Sequence, residues 1–272
     1  NIVSIKIIIA THKKAKMPIY DSYVPLQVGA AINPNLGYAG DNIGNNISKK
    51  NPFYCELTGL YWAWKNVDSD YIGLVHYRRY FALSKRSKNP FENIMNDEQL
   101  NKVIKRYNII IPKKRHYYIE SLYSHYNHTH YKSQLDEVKS IIKELYPDYL
   151  PTYNKVLSRR WGYMFNMMIM KKEYLNEYCT WLFNILFCLE DRVKNGDVEN
   201  TKDLSSFQSR FYGRISEILF NVWLQEQLNL GKIKKKEIKE VNYVYVGKVD
   251  RIRKIFSFLN AKFFNKKYNR SF

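Results

Sequence analysis

Cysteine is scarce in this 272-residue chain: Cys55, Cys179 and Cys188, with no C-x-x-C pair among them. That excludes a disulfide framework, and the aromatic or apolar neighbours of all three point to buried thiols of a cytoplasmic protein rather than redox or zinc ligands. Long apolar runs are missing too. The longest, around Trp181 to Leu189, is broken by Asn184 and falls far short of a membrane span, while Ile7-Ile8-Ile9 is too short for a signal-peptide core. Glycine is sparse and wrongly ordered for the familiar phosphate loops. Four of the eleven glycines fall between Gly29 and Gly44, but they form no G-x-G-x-x-G, and no Lys-Ser or Lys-Thr follows Gly44. A dinucleotide fingerprint and a P-loop are therefore absent.

Acidic residues are outnumbered, 25 against 44 basic, giving a net charge of +19 that calls for an anionic partner: a nucleotide, a nucleic acid or an acidic lipid surface. The excess is uneven. Residues 231–272 carry thirteen basic and three acidic side chains, so this short stretch holds +10 and the first 230 residues only +9. Aromatics, at 16%, exceed ordinary use and suit stacking against sugars or bases. Hydrophobic and charged fractions of 45% and 25% are those of a folded globular chain.

Ile5 to Ala10, followed by the polar Thr11-His12-Lys13-Lys14, reads as a buried strand leading into a loop. The segment from Gly40 to Asn46 reads as the most turn-prone part of a loop, and a helix with Pro52 in its first turn is predicted to run through Lys65. Tyr71 to Val75 is a second buried strand, Tyr107 to Ile111 a third and Met164 to Met170 a fourth. Helices are expected over 133–146, 173–192 and 207–228. This alternation predicts an α/β domain with a mainly parallel sheet flanked by helices, spanning 1–230, followed by a basic C-terminal extension over 231–272.

In open α/β sheets ligands bind at the carboxyl ends of the strands, which filters the polar clusters. His76-Tyr77-Arg78-Arg79 passes, and guanidinium forks suit a diphosphate. Asp68-Ser69-Asp70 precedes its strand and reads as a solvated turn rather than a metal motif. His125, His128 and His130 share a Tyr-rich loop with Tyr126, at spacings that fit an acceptor-binding or ordinary polar loop better than zinc. For acid–base work Glu217 is the most suggestive carboxylate. It is expected in the first turn of a helix, whose N-terminus would favour the ionised form.

Several ordered blocks resemble one family. These are Ala10-Thr11-His12-Lys13-Lys14, Pro25-Leu26-Gln27-Val28-Gly29-Ala30, Gly40-Asp41-Asn42 through Ser48, Asn51-Pro52-Phe53-Tyr54-Cys55-Glu56-Leu57 through Asn66, and Tyr71 through Phe81. With Gly162 to Met167, the Trp181-Leu182-Phe183 helix, Ser216-Glu217 and Asn221 to Leu224, they make residues 5–230 similar to the domain-of-unknown-function 4422 family of bacterial capsule, exopolysaccharide and O-antigen glycosyltransferases. The resemblance implies a GT-A-like, Rossmann-like fold, a UDP-sugar donor carrying galactose or galactofuranose, and a saccharide or lipid-linked acceptor. One block departs: His130-Tyr131-Lys132-Ser133-Gln134-Leu135 stands where a His-His-x-x-Asp-Leu type is expected.

On this reading Thr11, His12 and Lys13 hold the nucleotide, Gly40, Asp41, Asn42 and Asn46 close over the donor, and His76, Arg78 and Arg79 face the diphosphate. Glu217 is the first candidate base and Asp41 the second, while Tyr126, His128 and His130 are candidate acceptor contacts. No carboxylate pair follows Val75, so no metal ligand is assigned and strict dependence on Mn²⁺ or Mg²⁺ is not expected. In the tail, Val249, Ile252, Phe256, Leu259 and Phe263 recur at helical spacing among basic residues, predicting an amphipathic helix on the anionic inner face of the cell membrane. The competing readings are a basic nucleic-acid-binding module, against which no RNP, KH or helix-turn-helix signature is found, and a non-catalytic nucleotide-sugar-binding relative.

Overall fold

The computed structural model describes residues 2–247. In chain order, its first half holds β1 (Ile5–Thr11), β2 (Tyr23–Gln27), β3 (Ala39–Gly40), α1 (Asn51–Tyr54), α2 (Leu57–Asn66), β4 (Tyr71–His76), β5 (Arg79–Ala82) and α3 (Asp97–Ile104). Then come β6 (Ile109–Pro112), β7 (Arg115–His116), α4 (Leu122–Asn127), α5 (Lys132–Leu145), α6 (Leu150–Ser158) and β8 (Trp161–Gly162). The chain continues through β9 (Met168–Lys171), α7 (Lys172–Lys194), α8 (Phe211–Asn229) and β10 (Ile238–Tyr245). The tail residues Val249, Ile252, Phe256, Leu259 and Phe263 lie outside the described residues.

Eight strands form one sheet in the order β3-β2-β1-β4-β5-β10-β6-β9, and β9 also pairs with β4. Strands β4, β5, β10, β6 and β9 thereby close into a five-membered ring. The expectation of a mainly parallel sheet is corrected: β1 pairs in parallel with β2 and β4, as do β2 with β3 and β6 with β10, but the other four pairings are antiparallel. The cause is local. Only Tyr77 and Arg78 separate β4 from β5, and so short a connection permits only an antiparallel return. Ring closure brings β4 against β9 at Gly73, where a Cβ would stand 2.8 Å from Ile169 Cγ1 and 3.0 Å from the Met168 carbonyl oxygen. The expected boundary after residue 230 also moves, because β10 sits between β5 and β6 inside the ring.

Strand β1 has both faces covered, which is why its apolar run is continuous. Ile8 and Ala10 join the larger core with α2, α5, α7 and α8, whereas Ile7 and Ile9 join a second core with α3, Met95 and Ile169. Helix α5 presents Leu135, Val138, Ile141 and Ile142 to the larger core, as their spacing requires. The helix expected from Pro52 to Lys65 is two helices. Cys55 interrupts it with φ +52°, a left-handed backbone that a non-glycine residue adopts at a cost, and Asn51 Nδ2 secures the break by donating to the Cys55 carbonyl at 2.9 Å. Glu56 is consequently placed at the start of α2.

Candidate functional site

A cleft of about 410 Å³ opens at the carboxyl ends of β1, β2 and β4, the position favoured for ligands in α/β sheets. Ala10 and His12 follow from β1, Gln27 and Val28 from β2, and His76 and Tyr77 from β4. The wall opposite is helical, with Cys55 and Glu56 before α2 and Arg210, Gly213, Arg214 and Glu217 from the start of α8. Gly213 packs close to the α1 break: its nearest neighbours are Cys55 and the Tyr54 carbonyl. Two carboxylates and several cationic or imidazole groups therefore share one concavity.

One residue, Phe165, ties the two walls together through its two flanking peptides. His76 Nε2 donates to the Phe165 carbonyl at 2.6 Å, and the Phe165 N–H donates to Glu217 Oε2 at 3.0 Å. Phe165 and Asn166 are both left-handed, with φ +78° and +51°. Consecutive non-glycine residues in that region cost roughly 1–3 kcal/mol each and persist where the surroundings hold them. The Arg79 guanidinium lies 3.8 Å from the Phe165 ring centroid, and Asn166 Nδ2 donates to Glu56 Oε1 at 2.9 Å and to the Gly213 carbonyl at 3.0 Å. The strained turn thus links His76, Glu56, Glu217 and the α8 backbone.

Glu217 is in the second turn of α8, not the first, so a helix terminus is not what keeps it ionised. Burial raises its pKa, but the Arg214 guanidinium 3.1 Å away, the Phe165 N–H and Arg79 outweigh that and hold it below the usual carboxylate range. Arg214 is correspondingly pushed up: burial works against its charge and Glu217 more than restores it. His76 is pulled below the ordinary imidazole range by burial, despite Glu56 nearby, and Arg79 adds to the effect. Burial pushes the Cys55 thiol well up, so it is a neutral lining group and not a nucleophile.

Other expected site residues lie elsewhere. Asp41 is fully buried and accepts from Gly29 N–H and Ala30 N–H at 3.0 Å each, from Ser48 Oγ at 2.5 Å and from Thr58 Oγ1 at 2.6 Å. Those four donors make it an anchor and remove it as a candidate base. The loop it anchors is pinned to α2 by Trp62 Nε1 on the Ile43 carbonyl and Asn66 Nδ2 on the Asn45 carbonyl. Gly40, Asn42 and Asn46 are not among the cleft residues, and their loop is held against α2 rather than over the cleft. Thr11 is buried and bonds the Lys13 backbone at both N and O, shaping the turn after β1. Of the basic cluster, only His76 faces the cleft. Arg79 is stacked on Phe165, while Arg78 and Lys13 line an adjacent groove.

The histidine loop divides as well. His130 lines the cleft, stacked 5.4 Å from Phe207. His125 and His128 instead flank Glu120, at 3.1 Å and 2.5 Å, and Tyr126 is a core residue whose hydroxyl donates to Gln134. Asp68 pairs with Lys172 at 2.7 Å and Asp70 accepts from Ser4, at the opposite end of β4 from the cleft. Among the described residues no group of three His, Cys, Asp or Glu is placed to hold a metal ion.

The residues that sequence reasoning passed over are Glu56, Arg210 and Arg214. A helix assumed continuous from Pro52 buried the significance of Glu56, and Arg214 and Arg210 precede Glu217 by about one and two turns. A family model described as a domain of unknown function, DUF4422, matches residues 6–228. The chain belongs to the DUF4422 family. The apo structure of the bifunctional glycosyltransferase WbbM is similar to this DUF4422 chain, with TM-score 0.79 and 30% identity over 90% of the chain. The match spans 46% of WbbM, so the chain corresponds to about half of that enzyme. No curated protein matches it. Among the described residues no helix of this DUF4422 domain is long and apolar enough to cross a membrane.

Proposed function

We propose that this DUF4422 protein is a glycosyltransferase of GT-A type that moves a hexose from a UDP-sugar, with galactose or galactofuranose the first candidates, to a saccharide acceptor in bacterial surface polysaccharide synthesis. The observation that carries the reading is the pairing of Glu56 and Glu217 with His12, His76, Arg210 and Arg214 in one strand-end cleft. The similarity to WbbM supports it.

In this reading the nucleotide enters over β1 and β2, and the diphosphate meets His12, Arg210 and Arg214. Cations fixed where negative charge develops stabilise the departing UDP. Deprotonating the acceptor hydroxyl falls to Glu56, which reaches the cleft beside His76 and takes one side-chain hydrogen bond, from Asn166, among the described residues. Glu217, neutralised by Arg214, is the weaker base and instead fixes the Phe165 turn. His130 and Phe207 offer a face for the acceptor sugar. No metal ligand is assigned, and every step rests on the chain's own cations and carboxylates.

The protein works in the cytoplasm, and its basic tail holds it on the anionic inner face of the membrane, where lipid-linked acceptors are built. Each basic residue near such a leaflet contributes roughly 1 kcal/mol. The experiment that tests the donor is a thermal-shift screen of nucleotide sugars followed by transfer assays with the hits. A donor at a hundred times its Kd adds about 2.7 kcal/mol of stability. Failure of every UDP-sugar to raise the melting temperature would sink the reading.

A further inference from the structure

Beside the cleft, and sharing Tyr77 with it, lies a second concavity of about 360 Å³. Among the described residues its charged lining consists of Lys13, Lys14, Lys16 and Arg78, with no Asp or Glu. All four are exposed, and the ion pairs among the described residues use other basic side chains. Four uncompensated cations in one hollow repel one another, and a polyvalent anion relieves that repulsion.

The hollow is held open by specific contacts. Thr11 Oγ1 accepts from the Lys13 N–H and donates to the Lys13 carbonyl, and Tyr38 OH bonds both the N–H and the carbonyl of Ala15, so the lysine loop is fixed at two points. Lys16 Nζ lies 4.3 Å from the centroid of the Phe91 ring, and the Arg78 guanidinium lies 5.1 Å from that of Tyr77. Aromatic faces at these distances steady a cation without neutralising it. The Arg78 stem also rests on Gly247, where a Cβ would stand 2.9 Å from Arg78 Cδ.

We propose that this groove is a second anion site, separate from the cleft, which takes the phosphate or diphosphate group of the acceptor. The cleft has its own cations in His12, Arg210 and Arg214, so the donor's diphosphate does not need the groove. A second molecule whose phosphate sits in the groove would be joined to the cleft across Tyr77, with its sugar directed to the reacting centre. The acceptor part of this assignment rests on the glycosyltransferase reading; the anion site does not.

The test titrates the full-length protein with inorganic pyrophosphate by calorimetry, alone and saturated with UDP, in the wild type and in Lys14→Glu/Lys16→Glu. Pyrophosphate is expected to bind the UDP-saturated wild type, and reversing two charges at a phosphate is expected to weaken that binding about tenfold or more. UDP binding and melting temperature should be unchanged, and Lys14→Gln/Lys16→Gln should fall between the two. Complete displacement of pyrophosphate by UDP, or equal binding by the variant, would overturn the separate site. If UDP binds neither protein, the donor reading fails while the pyrophosphate titration still decides the groove. In transfer assays the variant should show a raised KM for a diphosphate-linked saccharide with kcat retained. Sedimentation with phosphatidylglycerol vesicles should not differ between the proteins; a loss confined to the variant would assign the groove to bilayer headgroups instead.

Discussion

His76 donates its Nε2 proton to the carbonyl of Phe165, whose own N–H is given to Glu217. Because a carbonyl only accepts, the ring tautomer is fixed with the proton on Nε2, and in the neutral imidazole Nδ1 is the acceptor nitrogen. The preceding peptide of the same residue orients a carboxylate on the opposite wall. Disturbing either partner moves both.

The two cleft glutamates are expected to respond differently to removal of charge. Glu56→Gln should leave the fold intact and lower kcat by about 10²–10⁴, the usual contribution of a general base. Glu217→Gln should chiefly lower stability, since it removes the partner of the part-buried Arg214 and weakens the bond from the Phe165 N–H, a loss of about 1–3 kcal/mol. Paired melting curves and initial rates separate the two. A Glu56→Gln enzyme of normal kcat would remove it as the base.

Acidification should destabilise the fold in two steps. His76 and His125 are depressed below the ordinary 6.5, chiefly by burial, so the unfolded chain takes up protons first as pH falls through about 6.5. Stability from these groups is full above that value and declines below it. Glu120 is held near 2, because hydrogen bonds from His125 and His128 outweigh its burial, so its contribution is lost only as pH falls below the unfolded value near 4.5. Melting temperatures at pH 7.5, 5.5 and 4 check this. A flat profile between 7.5 and 5.5 contradicts the histidine step.

Asp41→Ala should unfold or strongly destabilise the protein, because it strands two backbone N–H groups and two hydroxyls at once. Leaving even one buried donor unsatisfied costs about 1–3 kcal/mol. Chemical denaturation of Asp41→Ala and Asp41→Asn reads the size of the effect; wild-type stability with lost transfer would restore a catalytic role.

Chelation should leave transfer largely intact. Rates after EDTA treatment are expected to stay within about twofold of untreated enzyme, since fixed cations carry the charge compensation that a divalent ion supplies elsewhere. Abolition by EDTA and recovery with Mn²⁺ would mean a carboxylate pair was missed.

A chain ending after Gly247 should fold and bind donor but no longer sediment with anionic vesicles. One ending after Leu230 should not fold, because it lacks the β10 strand that closes the ring. Circular dichroism and vesicle sedimentation of the two truncations give the answer. Equal vesicle binding by the chain ending after Gly247 would refute anchoring by the tail.

The parts legible in the sequence are those whose pattern has a single cause. Strands β1 and β4 are continuous apolar runs because both faces are covered, and α5 and α7 show helical spacing. Strand β2 was hidden by Pro25. The bonds from Ile7 N to the Ser22 carbonyl and from Val28 N to the Thr11 carbonyl place the even-numbered residues of β2 toward β1. Pro25 therefore faces the other way, where β3 pairs only with Leu26 and Gln27, and its missing N–H costs no ladder bond. Strand β10 was hidden because its buried Val241 and Val244 are three apart, which breaks the alternation of a half-covered strand, and because Lys-rich composition surrounds it. In the site, Glu217, His12 and His76 were visible from motif and position. Glu56 was not, since nothing local announces the left-handed break at Cys55.

Among the described residues, the eight-stranded sheet closes on itself at one end and leaves its other end as the open margin to defend. Here that margin is β3, two residues long, and a strand so short offers a neighbouring molecule almost no unpaired backbone to template on. The fold can therefore carry its eight-stranded sheet at high local concentration without inviting edge-to-edge polymerisation through that margin.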